Sequence, residues 1–206
     1  MLNRFVKLFA LLFTVPFMVP VVAKSEDRPH TVFVVGEAEY GSEMTMPALA
    51  QVLSSNYDFQ TTVLIDSQLE GEQKTSIEGL DTLACADLVI LYLRFRQLPE
   101  AQLAKIQAYI ESGRPIVAFR TTTHAFAYEG KDPRAKQWNN FGARELGAPW
   151  IYHYGHDTST DAKTVGQHPI LNGVSTKFHV RSWTYHVRPD YPPKSANILV
   201  YGCPVF

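Results

Sequence analysis

Cysteine is scarce in this chain: Cys85 and Cys203 are the only two among 206 residues. No Cys pair and no His-Glu-x-x-His pattern accompanies them, so neither of these zinc signatures is present. Basic charge is never concentrated. No run of Lys or Arg exceeds two residues, which leaves nucleic acid binding without an electrostatic footprint. Long apolar runs are absent but for one, Leu8 to Val22, broken by Thr14, Pro16 and Pro20. Its length of about 15 residues falls short of the roughly 20 that a spanning helix needs. Internal repeats and low-complexity tracts are absent too.

The one apolar run has a different use. Arg4 and Lys7 precede it, and Val21-Val22-Ala23 follows as a small-residue cleavage site. Residues 1–23 therefore read as a secretory signal peptide, with a secreted or periplasmic product and no membrane contact once the leader is removed. No cysteine lies near the site to carry a lipid. Residues 24–30 form a polar linker, and 31–206 are long enough for one domain with a substantial core. Without Arg4 and Lys7 the net charge moves from -1 to -3. An oxidising compartment would allow Cys85 and Cys203 to pair. They lie 118 positions apart in apolar surroundings, however, so two separate buried thiols are expected.

Apolar patterning sets the fold class. Thr31–Val35, Phe59–Ile65, Leu88–Leu93 and Pro115–Phe119 read as strands, the first, third and fourth almost wholly apolar, as in a parallel sheet covered on both faces. Thr45 is placed to cap a helix from Met46 toward Leu53. Leu98–Gly113 is the clearest helix, with Leu103, Ile106 and Ile110 on one side and Gly113 as its C-cap. This alternation predicts a layered α/β sandwich with a mainly parallel central sheet. Beyond Phe126 the pattern loosens. Trp138–Leu146 reads as a helix, Ile151–Thr160 as a short strand or loop, and His168–Gly173 as a structural turn. Tyr185–Val187 and Ile198–Tyr201 read as short strands.

Ligands of an open α/β sheet bind at the C-terminal strand ends. There the sequence supplies Glu37 and Glu39, then Arg94 and Arg96, then Arg120, Thr121, Thr122, Thr123 and His124. Arginine presents a rigid fork to carboxylate or phosphate. Two uses stay open: binding of an anionic or polyol ligand, with Glu37, Arg94, Arg96, Arg120, Thr121 and Thr122 as its contacts, or a structural Arg–Glu network closing the sheet. Arg120 stands where a nucleophile is expected, yet a protonated guanidinium can clamp an oxygen and cannot attack it. His124 and His156 are the candidates for proton transfer. His124, His153, His156 and Asp157 form a candidate metal set, for which zinc is the natural ion. Trp138, Trp150, Tyr152, Tyr154, Trp183 and Tyr185 bias the second half toward aromatics, as sugar-stacking walls and wet-edged cores both do.

Val32-Phe-Val-Val-Gly-Glu37, Asp87-Leu-Val-Ile-Leu91, Arg94-Phe-Arg-Gln-Leu-Pro99, Ala118–Phe126, Tyr152–His156 and His168–Val174 together resemble the ThuA-like (trehalose utilisation) family of the class I glutamine amidotransferase-like superfamily. The order of these pieces is more specific than any one of them. The likeness is nearest to secreted members common in planctomycete-like bacteria. It implies a flavodoxin-like sheet and a link to sugar metabolism. In the wider superfamily the strand leads into a Gly-x-Cys-x-Gly turn; here Ala118-Phe-Arg-Thr-Thr122 fills that place, so amidotransferase thiol chemistry is expected to be absent. The superfamily's downstream His and Glu pair also lacks a match before Phe206. Relatives continue for another strand or two, which leaves open that a C-terminal strand is lacking here. The expected function is binding, with or without processing, of a carbohydrate or related polar or anionic metabolite. The alternatives are a non-catalytic binding or interaction domain and a metal-assisted hydrolase using the histidine cluster; a thiol enzyme would need Cys85 or Cys203 beside a histidine at a strand end. Enzyme status stays open.

Overall fold

The structure is a computed structural model that describes residues 28–69, 75–155, 157–186, 188 and 190–206. The signal peptide reading and His156 fall outside the described residues. Four parallel strands build the main sheet: β1 (His30–Gly36), β2 (Gln60–Ile65), β3 (Leu88–Leu93) and β4 (Ile116–Ala118), in the order β2-β1-β3-β4. That is the order of the first four strands of a flavodoxin-like sheet. Helices α1 (Ser42–Asn56) and α2 (Glu100–Glu111) cross between strands.

Strand periodicity produces the three layers. Successive side chains of a strand face opposite sides. Val32 and Val34 of β1 join Val89 and Leu91 of β3 under Leu103, Ile106 and Tyr109 of α2. Phe33 and Val35 join Ile90 and Tyr92 against Met46 and Ala50 of α1. Every residue of β1 is buried, which explains why Val32–Val35 is continuously apolar rather than alternating.

Several local expectations are corrected. Helix α1 starts at Ser42 behind Gly41, which takes the left-handed φ of 64° that glycine tolerates; Thr45 lies inside the helix and donates to the Gly41 carbonyl. The single helix expected at Trp138–Leu146 is two short ones, α3 (Ala135–Trp138) and α4 (Phe141–Glu145). Between them, the Asn139 side chain accepts from the Tyr128 amide and donates to the Tyr128 carbonyl, drawing the chain out of helix. Residues near the C-terminus form an antiparallel sheet, β6-β5-β7, from β5 (Ser159–Thr164), β6 (Lys177–Val180) and β7 (Val200–Val205). Cys85 and Cys203 are free and exposed, not buried. Cys85 ends a 3-10 turn at the opposite edge of the sheet from Arg120, and Cys203 lies on the edge strand β7, so local apolar sequence did not translate into burial. No helix among the described residues is long and apolar enough to cross a membrane.

Candidate functional site

Strand β4 ends at Ala118, Phe119 is still extended, and Arg120 turns sharply into a 3-10 helix, Arg120–His124. Arg120 has φ of 36°, a left-handed conformation unusual for a side chain other than glycine. Such a residue costs about 1–3 kcal/mol and persists only where its surroundings hold it. Here β3 holds it. The Thr121 hydroxyl donates to the Leu93 carbonyl at 3.0 Å, and the Thr122 hydroxyl donates to the Leu91 carbonyl at 2.9 Å while accepting from the Leu93 amide. Both threonines are fully buried. Their hydroxyls lock the turn onto the sheet and do not face the cleft. Below the turn lies Gly142 of α4, where a Cβ would sit 2.0 Å from the Thr123 carbonyl oxygen.

The locked turn projects the Arg120 side chain. Its guanidinium carbon lies 4.6 Å from the Tyr40 ring centre and 4.7 Å from that of Tyr185. Stacking of this kind contributes about 0.5–2 kcal/mol. One terminal nitrogen donates to the Trp183 carbonyl at 2.9 Å, while Nε is buried without a hydrogen-bond partner. Beside it opens a cleft of about 900 Å³ along β4, lined among others by Ile116, Ala118, Arg120, Thr123, Trp183 and Tyr185. Burial pushes the Tyr185 phenol up to about 12, so it remains a neutral donor.

The remaining strand-end cations are engaged elsewhere. Arg94 pairs with Glu39 at 3.1 Å and stacks over Phe95, itself a left-handed residue at φ of 52°. Arg96 is buried. It bridges the ends of β3 and β2 by facing Asp66 at 3.5 Å, and donates to the carbonyls of Gln68 and Arg94. Glu37 is wholly enclosed; its carboxylate accepts from the amides of Glu39 and Tyr40, and desolvation raises its pKa above the ordinary carboxylate value. A structural Arg–acid network therefore surrounds Arg94 and Arg96, while Arg120 lines an open cleft.

His124 is buried between Phe95 and Trp150, with ring centres 4.8 and 4.6 Å away. Burial, reinforced by the guanidinium groups of Arg94 and Arg120, pushes its pKa down to about 3. It is neutral near pH 7 and a weak base. His153 pairs through its backbone with Tyr185, and its Nδ1 lies 2.7 Å from the Tyr154 carbonyl. Asp157 is exposed. Among the described residues no three His, Cys, Asp or Glu side chains gather as a metal site; His124, His153 and Asp157 do not form one by themselves. The Cys85 sulfur lies 3.9 Å from His30 Nδ1, at the N-terminal edge of the sheet.

Tyr40, Thr160, Thr184 and Leu146 belong to the site's surroundings without having been singled out for it from sequence. Trp183 and Tyr185 had only the weak signal of the aromatic bias in the second half of the chain. The Thr160 and Thr184 hydroxyls meet at 2.8 Å, so β5 contributes to a cleft whose other wall is β4.

No protein-family model and no curated protein matches the chain. Among solved structures, the chain is similar to a protein from Parabacteroides merdae ATCC 43184 described as ThuA-like, at 15% identity and a TM-score of 0.47. The match covers 74% of this chain and 60% of that one.

Proposed function

We propose that the cleft beside β4 binds a carbohydrate or related polar metabolite, in an exported protein of the ThuA-like kind. The observation that carries this reading is the Arg120 turn: a strained residue, locked by two buried threonines, that delivers a cation to a roomy cleft walled by Trp183 and Tyr185. Aromatic faces take the apolar face of a sugar ring, and the guanidinium and nearby hydroxyls take its oxygens. No thiol stands at the turn, so acyl transfer through a cysteine has no nucleophile there.

A binding domain without turnover is the second reading. It is favoured by one observation: the groups nearest the turn are poorly suited to chemistry. His124 is a weak base, and the Thr121 and Thr122 hydroxyls are committed to the β3 backbone. The test is a titration of the protein with neutral and acidic mono- and disaccharides, read by tryptophan fluorescence and saturation-transfer NMR. Saturable binding that Trp183→Ala weakens at least tenfold is expected. Absence of saturation with every saccharide removes the carbohydrate reading.

A further inference from the structure

The charges around the cleft do not balance: Glu145 has a partner of opposite charge, whereas Arg114 and Arg120 have none within ion-pair distance among the described residues. Arg114, Arg120 and Glu145 are the charged residues lining it. Arg114 precedes β4, donates from Nε and one terminal nitrogen to the Ser112 hydroxyl and the Ala84 and Ala86 carbonyls, and lies over the Tyr109 ring, whereas Arg120 follows β4 and adjoins Trp183 and Tyr185. Glu145 is paired with Arg144. Above the sheet, Glu39 is paired with Arg94, and Glu37 is spent on backbone amides. Arg120 has no carboxylate within ion-pair distance among the described residues. Its protein partners are two phenol rings, which lie over the guanidinium, and one carbonyl.

A partly buried cation without a counter-ion is costly unless something supplies the charge. Rings over a guanidinium leave its in-plane N–H groups for hydrogen bonding; with Nε buried and one terminal nitrogen on the Trp183 carbonyl, the remaining terminal N–H groups are those that suit an oxygen of a carboxylate or phosphate. Trp183 and Tyr185 stand on the same cleft. We propose that the preferred ligand is an acidic sugar, a saccharide carrying a carboxylate or phosphate, with Arg120 reading the anionic group and the Trp183–Tyr185 wall reading the ring. This rests on the carbohydrate reading above and adds the charge that the ligand must carry. Arg94 does not compete for the anion, because Glu39 already neutralises it.

The experiment compares glucuronate, its neutral methyl ester, glucose 6-phosphate, glucose and inorganic phosphate by calorimetry at 20 and 300 mM salt. A charge-assisted contact predicts that at least one acidic sugar binds about tenfold or more tightly than its neutral counterpart, with the preference shrinking at high salt. Which acid gains separates carboxylate from phosphate. Arg120→Gln is expected to bring acid and neutral sugars to equal affinity. If that variant misfolds, the salt and ester comparisons on the unaltered protein still decide. Equal affinity of glucuronate and its ester, together with glucose 6-phosphate no tighter than glucose, overturns the acidic-sugar inference and leaves the carbohydrate reading standing. Binding of phosphate alone, with no sugar bound, retains an anion site but overturns both the acidic-sugar inference and the carbohydrate reading. Failure of all five ligands to bind overturns both as well.

Discussion

His124 shows how far an environment can move one side chain. An imidazole ordinarily titrates near pH 6.5, but here burial against Phe95 and Trp150 and two nearby guanidinium groups hold its pKa at about 3. The unfolded chain therefore takes up this proton at a pH where the folded one does not. Between about pH 6.5 and 3 the unfolded state binds more protons, so stability falls as the solution is acidified through that window. The expected loss from this one group is a few kcal/mol. Urea melts of the unaltered protein and of His124→Phe from pH 7.5 to 4 check this. The variant should show a flatter dependence; identical slopes would mean that the imidazole is already solvated. Arg120 makes the complementary point. Its left-handed φ is a strain that an isolated peptide would relax, and the Thr121 and Thr122 hydrogen bonds to β3 prevent that relaxation.

At the scale of elements, the turn after β4 depends on its contact with α4. Gly142 lets the backbone of α4 approach the Thr123 carbonyl more closely than a side chain would allow. A methyl group there meets two carbonyl oxygens, at 2.0 and 2.6 Å, neither of which can rotate away like a side chain. Gly142→Ala is therefore expected to destabilise the fold by about 1–3 kcal/mol or more, as overpacking does. It should also loosen the turn that carries Arg120. Thermal melting measures the first effect, and affinity for the acidic sugar measures the second. A variant as stable as the parent would show that α4 yields easily. The short antiparallel sheet has the opposite character: β7 is exposed along nearly its whole length and β6 is little better covered.

Across the whole molecule, burial is distributed unevenly. β1 and β3 lie inside the parallel sheet under both helical layers, while β6 and β7 flank β5 with much of their surface in water. Amide exchange followed by mass spectrometry should be slowest in β1 and β3 and fastest in β6 and β7. Uniform protection would contradict this ordering. Ligand binding should slow exchange in β4 and at residues 183–185 while leaving β1 unchanged, because the cleft lies beside β4 and not over the central strand.

Much of the fold was legible because burial on both faces leaves a strong mark: Val32–Val35 of β1 and all of β3 are apolar, and α2 repeats Leu103, Ile106 and Ile110 on one side. Such runs specify element type and the parallel sheet with little help from distant residues. The antiparallel sheet was poorly legible, since β6 reads Lys-Phe-His-Val with only a half-buried Phe178 to mark it. Local sequence also located the candidate site at the strand ends, because strand direction determines where the loops gather. It did not apportion roles among similar residues. Arg94, Arg96 and Arg120 look alike in sequence, yet one meets Glu39, one meets Asp66 and one faces a cleft between two tyrosines. Those partners lie 55, 30, 80 and 65 positions away. Pattern and propensity therefore determined the layers and the edge at which a ligand is expected; tertiary packing alone decided which of these three guanidinium groups is left without a counter-ion, because charge pairing depends on distances in space that local sequence does not encode.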